Sequence, residues 1–221
     1  MTFRPATRMQ ESLLAPLEKR VLIAMAERMP RQINSDHLTL LGFIGMALAG
    51  ACYVYSRRYP PALIGAAVCL GLNWLGDSLD GTLARVRNRQ RPRYGFYVDH
   101  VVDAFGALFL IGGLGLSGYM TGTMALMLII AYFLLSIELY LATYAVGIFR
   151  LSFGIFGPTE LRIVVALGTL FLLKKPVVNI GDSQYLLCDV AGVVTIGILV
   201  SFTIYSALQN TVRLYRREPL S

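Results

Sequence analysis

The sequence predicts an all-α integral membrane protein, a bundle of six transmembrane helices preceded by an amphipathic helix on the membrane surface. Three observations carry this. Of 221 residues, 56% are hydrophobic and 15% charged, against about 45–50% and about 25% in soluble domains. The apolar residues gather in runs of about twenty, enough for a helix to cross a hydrocarbon core of roughly 30 Å. Basic residues collect in the gaps between the runs. The net charge of +7 comes almost entirely from arginine. Its placement suits anionic headgroups, phosphate groups and topology signals, and gives no reason to infer nucleic acid as a partner. Cys52, Cys69 and Cys188 lie in or beside apolar runs and form no CxxC or disulfide pattern.

The elements follow in order. The start, MTFRPATRMQ, is polar and basic and lacks the apolar region of a cleavable signal. Residues 11–29 place Leu13, Leu14, Leu17, Val21, Leu22 and Met25 at helical spacing, interrupted by Glu18, Lys19 and Arg20. That pattern reads as an amphipathic helix lying on a membrane or docked on its own protein. Asn34-Ser35-Asp36 is a helix-capping cluster, and the first span follows it. Arg57-Arg58 and Pro60-Pro61 break the chain, and the second span runs from near Pro61 into an acidic motif. The third runs from near Gly95 to Tyr119, the fourth from Thr121 to about Ile148. The fifth covers about Glu160 to Leu173 and stops at Lys174-Lys175-Pro176. The sixth covers about Tyr185 to Leu208. Residues 1–34 are thus an N-terminal segment, 35–210 a transmembrane domain and 211–221 a basic tail.

The distribution of positive charge predicts the orientation. Six spans leave only Arg57, Arg58, Lys174 and Lys175 on one side and sixteen Lys and Arg on the other. Both termini, and the acidic motif with them, are therefore expected in the cytoplasm. Gly42, Gly45, Gly65, Gly112, Gly113, Gly115 and Gly118 lie in or at the ends of the spans and allow helices to approach closely, either within the chain or in a homodimer.

The acidic motif, DSLDGTLARVRNRQRPRYGFYVDHVVD, runs from Asp77 to Asp103. Asp77 and Asp80 are three residues apart, Asp99 and Asp103 four, so on helices each pair shares a face. A carboxylate near bilayer depth costs roughly 2.5–3.5 kcal/mol on insertion scales. Four of them on two apolar helices point to a shared divalent cation, held by hard oxygen ligands.

The pattern Asp77-x2-Asp80-Gly81-x2-Ala84-Arg85-x9-Gly95-x3-Asp99-x3-Asp103 resembles the signature of the CDP-alcohol phosphotransferase family, and all eight positions match. The resemblance implies a membrane enzyme of phospholipid synthesis. It would move a phospho-alcohol or phosphatidyl group from a CDP-activated donor to an alcohol acceptor, with release of CMP. It implies Mg2+ or Mn2+, two ions, held by Asp77, Asp80, Asp99 and Asp103, with Asp103 also the general base. The chemistry agrees with the spacing. Charge develops on the pyrophosphate oxygens as CMP leaves, and metals on two carboxylate pairs can neutralise it. Gly81 lets the nucleotide approach the backbone, Ala84 keeps the groove open, and Arg85 offers a fork for phosphate. Arg87, Arg89, Arg91 and Arg93 read as topology signals.

A looser resemblance, carried by DHVVD and by TYAVGIFRLSFGIFGPTELRI, is to the choline/ethanolamine phosphotransferase branch. It implies that His100 and Glu160 help activate an acceptor hydroxyl. It also implies a nucleotide contact at Thr39, although Asp36 stands where the branch usually has Asn. Short enzymes of the family often take phosphorylated polyols instead, as phosphatidylglycerophosphate and phosphatidylinositol-phosphate synthases do. Arg150 and Arg162 are the candidates for that basic pocket. Glu138 reads as bonding a neighbouring helix. A cation-coupled transporter, the competing class, would spread acids along a pathway and show an internal repeat; the sequence shows neither.

Overall fold

A computed structural model of the protein describes residues 7–9, 15–150 and 157–218. Leu13, Leu14 and the last three residues of the tail lie outside the described residues, as do the side chain of Arg150 and most of the segment after it. Seven helices are described: α1 Ala15–Arg28, α2 Ser35–Ser56, α3 Ala62–Val86, α4 Pro92–Ser117, α5 Gly122–Val146, α6 Pro158–Leu172 and α7 Leu187–Arg217. Two short ribbons accompany them. β1 (Thr7–Met9) pairs in parallel with β2 (Ile148–Arg150), and β3 (Val177–Ile180) pairs antiparallel with β4 (Ser183–Leu186). The chain is an all-α membrane bundle.

The helix boundaries have local causes. The Asn34 side chain accepts from the His37 amide at 3.0 Å and the His37 ring accepts from the Asn34 amide, a reciprocal cap. Pro92 and Pro158 occupy the first turns of α4 and α6, where a missing N–H costs nothing. Gly118 ends α4 in the left-handed region, at φ 86°, where a side chain would be strained. The Thr121 hydroxyl caps α5, and its amide donates to Asp189 of α7 at 2.8 Å.

Five helices, α2, α3, α4, α5 and α7, are long and apolar enough to cross a membrane. The expected fifth span, about Glu160 to Leu173, coincides with a short helix to within two residues. It is the 15-residue α6, which rises about 22 Å, short of a full hydrocarbon core. Pro158 at one end and the Lys174-Lys175-Pro176 break at the other confine it, and the β3–β4 hairpin supplies the rest of the link to α7. Residues 211–217, in the basic tail, continue α7 as regular helix.

α2 is the central helix, and both α3 and α4 pack on it. The contact is backbone on backbone. A Cβ on Gly76 would lie 2.5 Å from Gly42 N and Leu38 O, and one on Gly45 would lie 2.9 Å from Cys69 O. A Cβ on Gly50 would lie 2.2 Å from Phe109 O, and one on Gly113 2.4 Å from Gly50 O. These glycines therefore serve packing within the chain. α1 docks through Leu22 and Ala26 on Leu38, Leu79 and Leu83, while Leu17 and Val21 stay exposed. One face of α1 is therefore docked on the protein, and another stays exposed.

Overpacking such a contact costs about 1–3 kcal/mol. Gly50→Ala should therefore lower the thermal midpoint of the detergent-solubilised protein. Gly71→Ala, whose Cβ meets nothing within 4 Å, should leave the midpoint unchanged.

Candidate active site

Asp77, Asp80, Gly81, Ala84 and Arg85 lie on the last three turns of α3, and Asp99, His100 and Asp103 lie on the first half of α4. The cleft between them is lined by Thr39 and Asp36 of α2, by Asp80, Gly81 and Ala84, and by Gly95 and Asp99. Asp80 is 7% exposed. It accepts from the Thr39 hydroxyl at 2.6 Å and from the Gly81 amide. Thr39, read as a nucleotide contact, thus both lines the cleft and holds one of the four carboxylates.

The four aspartates share one electrostatic environment. Asp80 interacts with Asp99 and Asp77, and Asp103 with Asp77, Arg162, Asp99 and Asp80. Arg162, from the second turn of α6, donates to Asp77 Oδ2 at 2.6 Å, with both side chains largely buried. α6 thereby delivers a fixed cation to the acidic centre. Tyr132 and Tyr140 of α5 lie within electrostatic reach of Asp103, and Tyr132 also of Arg162.

The donor set suits a hard divalent cation. Four carboxylates meet one arginine, which leaves excess negative charge in a partly buried place, and all the donors are oxygens. Asp77 and Asp80 are engaged by Arg162 and Thr39. Among the described residues, no group of three His, Cys, Asp or Glu forms a ready metal cage.

His100 lies one turn before Asp103. Its Nδ1 is 2.6 Å from Phe96 O. A carbonyl only accepts, so Nδ1 carries a proton. The ring packs 4.1 Å from Phe96 and meets Tyr140 edge-on at 4.7 Å, centroid to centroid. Glu160 is 8% exposed, in the first turn of α6, and its Oε2 accepts from the Gly157 amide at 3.0 Å. That bond caps the helix; two residues on stands Arg162. Arg85 donates to Thr82 at 2.9 Å and extends along Gly81.

Several other readings gain a structural partner. Glu138 accepts from Asn210 of α7 at 2.8 Å, the interhelical bond expected for it. Arg87 and Arg91 do more than mark topology. Arg87 donates to Met29 O at 2.8 Å, to Pro30 O at 2.9 Å and to Ile33 O, tying the end of α3 to the α1–α2 connection. Arg91 pairs with Asp36 and lies over the Tyr94 ring at 4.1 Å, beside the cleft mouth. The hydrogen bond to Asp36 holds its guanidinium still more firmly protonated. The sequence reading missed Glu18, whose Oε1 accepts from Trp74, Ser78 and Thr159. In the sequence Glu18 only interrupts the apolar positions of α1, and no spacing in the chain links it to the others.

Arg87→Ala removes donors to three carbonyls at once. The α1–α2 connection should then be cut faster by protease, while Arg89→Ala should leave the cleavage rate as it is.

A family model described as CDP-alcohol phosphatidyltransferase matches residues 33–205. Among solved structures, the chain is similar to phosphatidylinositol phosphate synthase of Mycobacterium tuberculosis, solved with CDP-DAG bound. The TM-score is 0.58 at 19% identity, over 89% of this chain and 94% of that one, a likeness of fold. No curated protein matches the sequence significantly. The family match spans most of the chain, including both acidic pairs, and the membrane bundle found in the structure accords with it: this protein belongs to the CDP-alcohol phosphatidyltransferase family and is a CDP-alcohol phosphotransferase of phospholipid synthesis.

Proposed function

We propose that the enzyme transfers the phosphate-bearing group of a CDP-activated lipid-pathway donor to the hydroxyl of an uncharged alcohol, in the manner of the choline/ethanolamine branch. The observation that carries this is the 2.6 Å contact of His100 Nδ1 with Phe96 O. This Nδ1–H bond anchors the ring, which orients the acceptor hydroxyl. The acceptor oxygen is held there, one turn from Asp103, and Asp103 takes the proton as the oxygen attacks phosphorus. Glu160, buried at the start of α6, lends negative charge to the acceptor side. The nucleotide lies along Gly81 and Ala84, with Thr39 beside it and Arg85 at its phosphates. Family members generally use divalent metals. Mg2+ or Mn2+ held by Asp77, Asp80, Asp99 and Asp103 would neutralise charge on the phosphate oxygens. With α6 counted as a crossing there are six, and the site and both termini then face the cytoplasm, since sixteen of the twenty Lys and Arg fall on that side.

One observation favours a second reading. Arg162 stands inside the acidic centre, where it could meet the phosphate of a phosphorylated polyol. The similar fold of a phosphatidylinositol phosphate synthase points the same way. In the first reading Arg162 is committed to Asp77 and the acceptor brings no phosphate.

CMP release by purified protein, across a panel of CDP-donors and acceptors, decides between them. With the preferred acceptor, His100→Ala and Glu160→Gln should each lower kcat roughly 10²–10⁴-fold, the usual worth of acid–base help, with donor affinity unchanged. Asp77→Asn should abolish turnover in a protein that still folds. Turnover only with phosphorylated polyols, dependent on Arg162 and indifferent to Glu160, would establish the second reading. Ala84→Leu should block donor binding by bulk; unchanged donor affinity would place the nucleotide elsewhere.

A further inference from the structure

α1 lies outside the transmembrane spans, yet one of its side chains reaches the helices that carry the reaction centre. Glu18 Oε1 accepts from Trp74 Nε1 at 3.0 Å, from Ser78 Oγ at 3.0 Å and from Thr159 Oγ1 at 2.8 Å. Trp74 and Ser78 are one turn apart on α3, and Thr159 is in the first turn of α6. One carboxylate oxygen therefore ties three helices.

The residues it holds adjoin the acidic centre. Ser78 follows Asp77. Thr159 lies three residues before Arg162 on the same helix, so the two share a face. The Arg162–Asp77 ion pair at 2.6 Å and the Glu18 contacts are thus two parallel cross-links between the same turns of α3 and α6. The first lies at the reaction centre and the second backs it from outside.

We infer that Glu18 is a positioning residue, which sets the α3–α6 spacing and through it where the Asp77 carboxylate and the Arg162 guanidinium stand relative to Asp103. The inference rests on the reading that the reaction centre is the Asp77–Asp103 cluster. Hydrogen bonds to a carboxylate are roughly twice as strong as neutral ones, so three of them on one oxygen make a stiff link. Packing supports the same geometry. Leu22 and Ala26, on the next turns of α1, are buried against Leu79 and Leu83 of α3, so Glu18 is delivered to its partners by a docked helix. A misplacement of about 1 Å at a reaction centre can cost roughly 10²-fold in rate.

Trp74 is the only tryptophan in the chain, so its emission reports the clasp directly. The test uses the full chain in nanodiscs: wild type, Glu18→Ala, Glu18→Gln and, as a control on the same helix, Lys19→Ala. In metal-free protein, Glu18→Ala should shift Trp74 emission. It should also weaken Mn2+ binding, read as a direct isotherm, and lower kcat for CMP release, each by about tenfold, the lower end for outer-shell changes at metal sites. KM for the donor should move little. Glu18→Gln keeps an Oε1 acceptor and should recover most of both losses, and Lys19→Ala should behave as wild type. Ser78→Ala and Thr159→Val each remove one donor and should move Mn2+ affinity in the same direction by less, which keeps the test open should Glu18→Ala fold poorly. A folded Glu18→Ala protein with wild-type Mn2+ affinity and kcat overturns the proposal, even if it melts lower. If the wild type releases no CMP from any donor, the proposed function fails, while the emission shift and the Mn2+ isotherm still decide the clasp.

Discussion

Gathering four carboxylates at one end of an apolar bundle is the constraint that the rest of this structure answers. Each would be costly alone at that depth, and their mutual repulsion grows as water is excluded. The protein meets part of the cost with its own groups. Arg162 is brought from α6 to Asp77, and Thr39 is brought from α2 to Asp80. Neither neutralises the set. The donor set therefore keeps excess negative charge, the character a hard divalent cation would need.

The scaffold follows from this. α2 has to lie close enough for a threonine to reach Asp80, and the glycine contacts with α3 allow that approach. α6 has to begin at the level of Asp77, and it does so as a short helix capped by its own Glu160. α5 supplies tyrosines near Asp103 and His100. The loop arginines hold the cleft mouth, Arg87 on the α1–α2 connection and Arg91 on Asp36.

Much of this was legible in the chain, for physical reasons. The acidic pairs were visible because charge is rare in spans and helical spacing puts the members of a pair on one face. Span positions followed from hydropathy and from Pro and Arg breaks. What stayed hidden depends on contacts between distant segments. Arg162 and Asp77 are 85 residues apart, and the 141 residues between Glu18 and Thr159 leave no local signature. Arg87 looked like one more positive charge, since carbonyl acceptors have no letter in the sequence.

The glycine seams carry one more consequence. Gly42, Gly45 and Gly76 fix the register of α2 and α3 by main-chain contact, and Gly76 immediately precedes Asp77. The position of the first acidic pair is therefore written in the backbone, with no help from the outward side chains. Leu40, Ile44, Leu48, Ile64 and Val68 face outward on these two helices and can drift among apolar types without disturbing it. Evolution of such a chain is free on the lipid side and frozen along a few thin lines. Distant relatives should then agree at the seams and the acids and at little else, and overall sequence identity becomes a poor measure of shared chemistry.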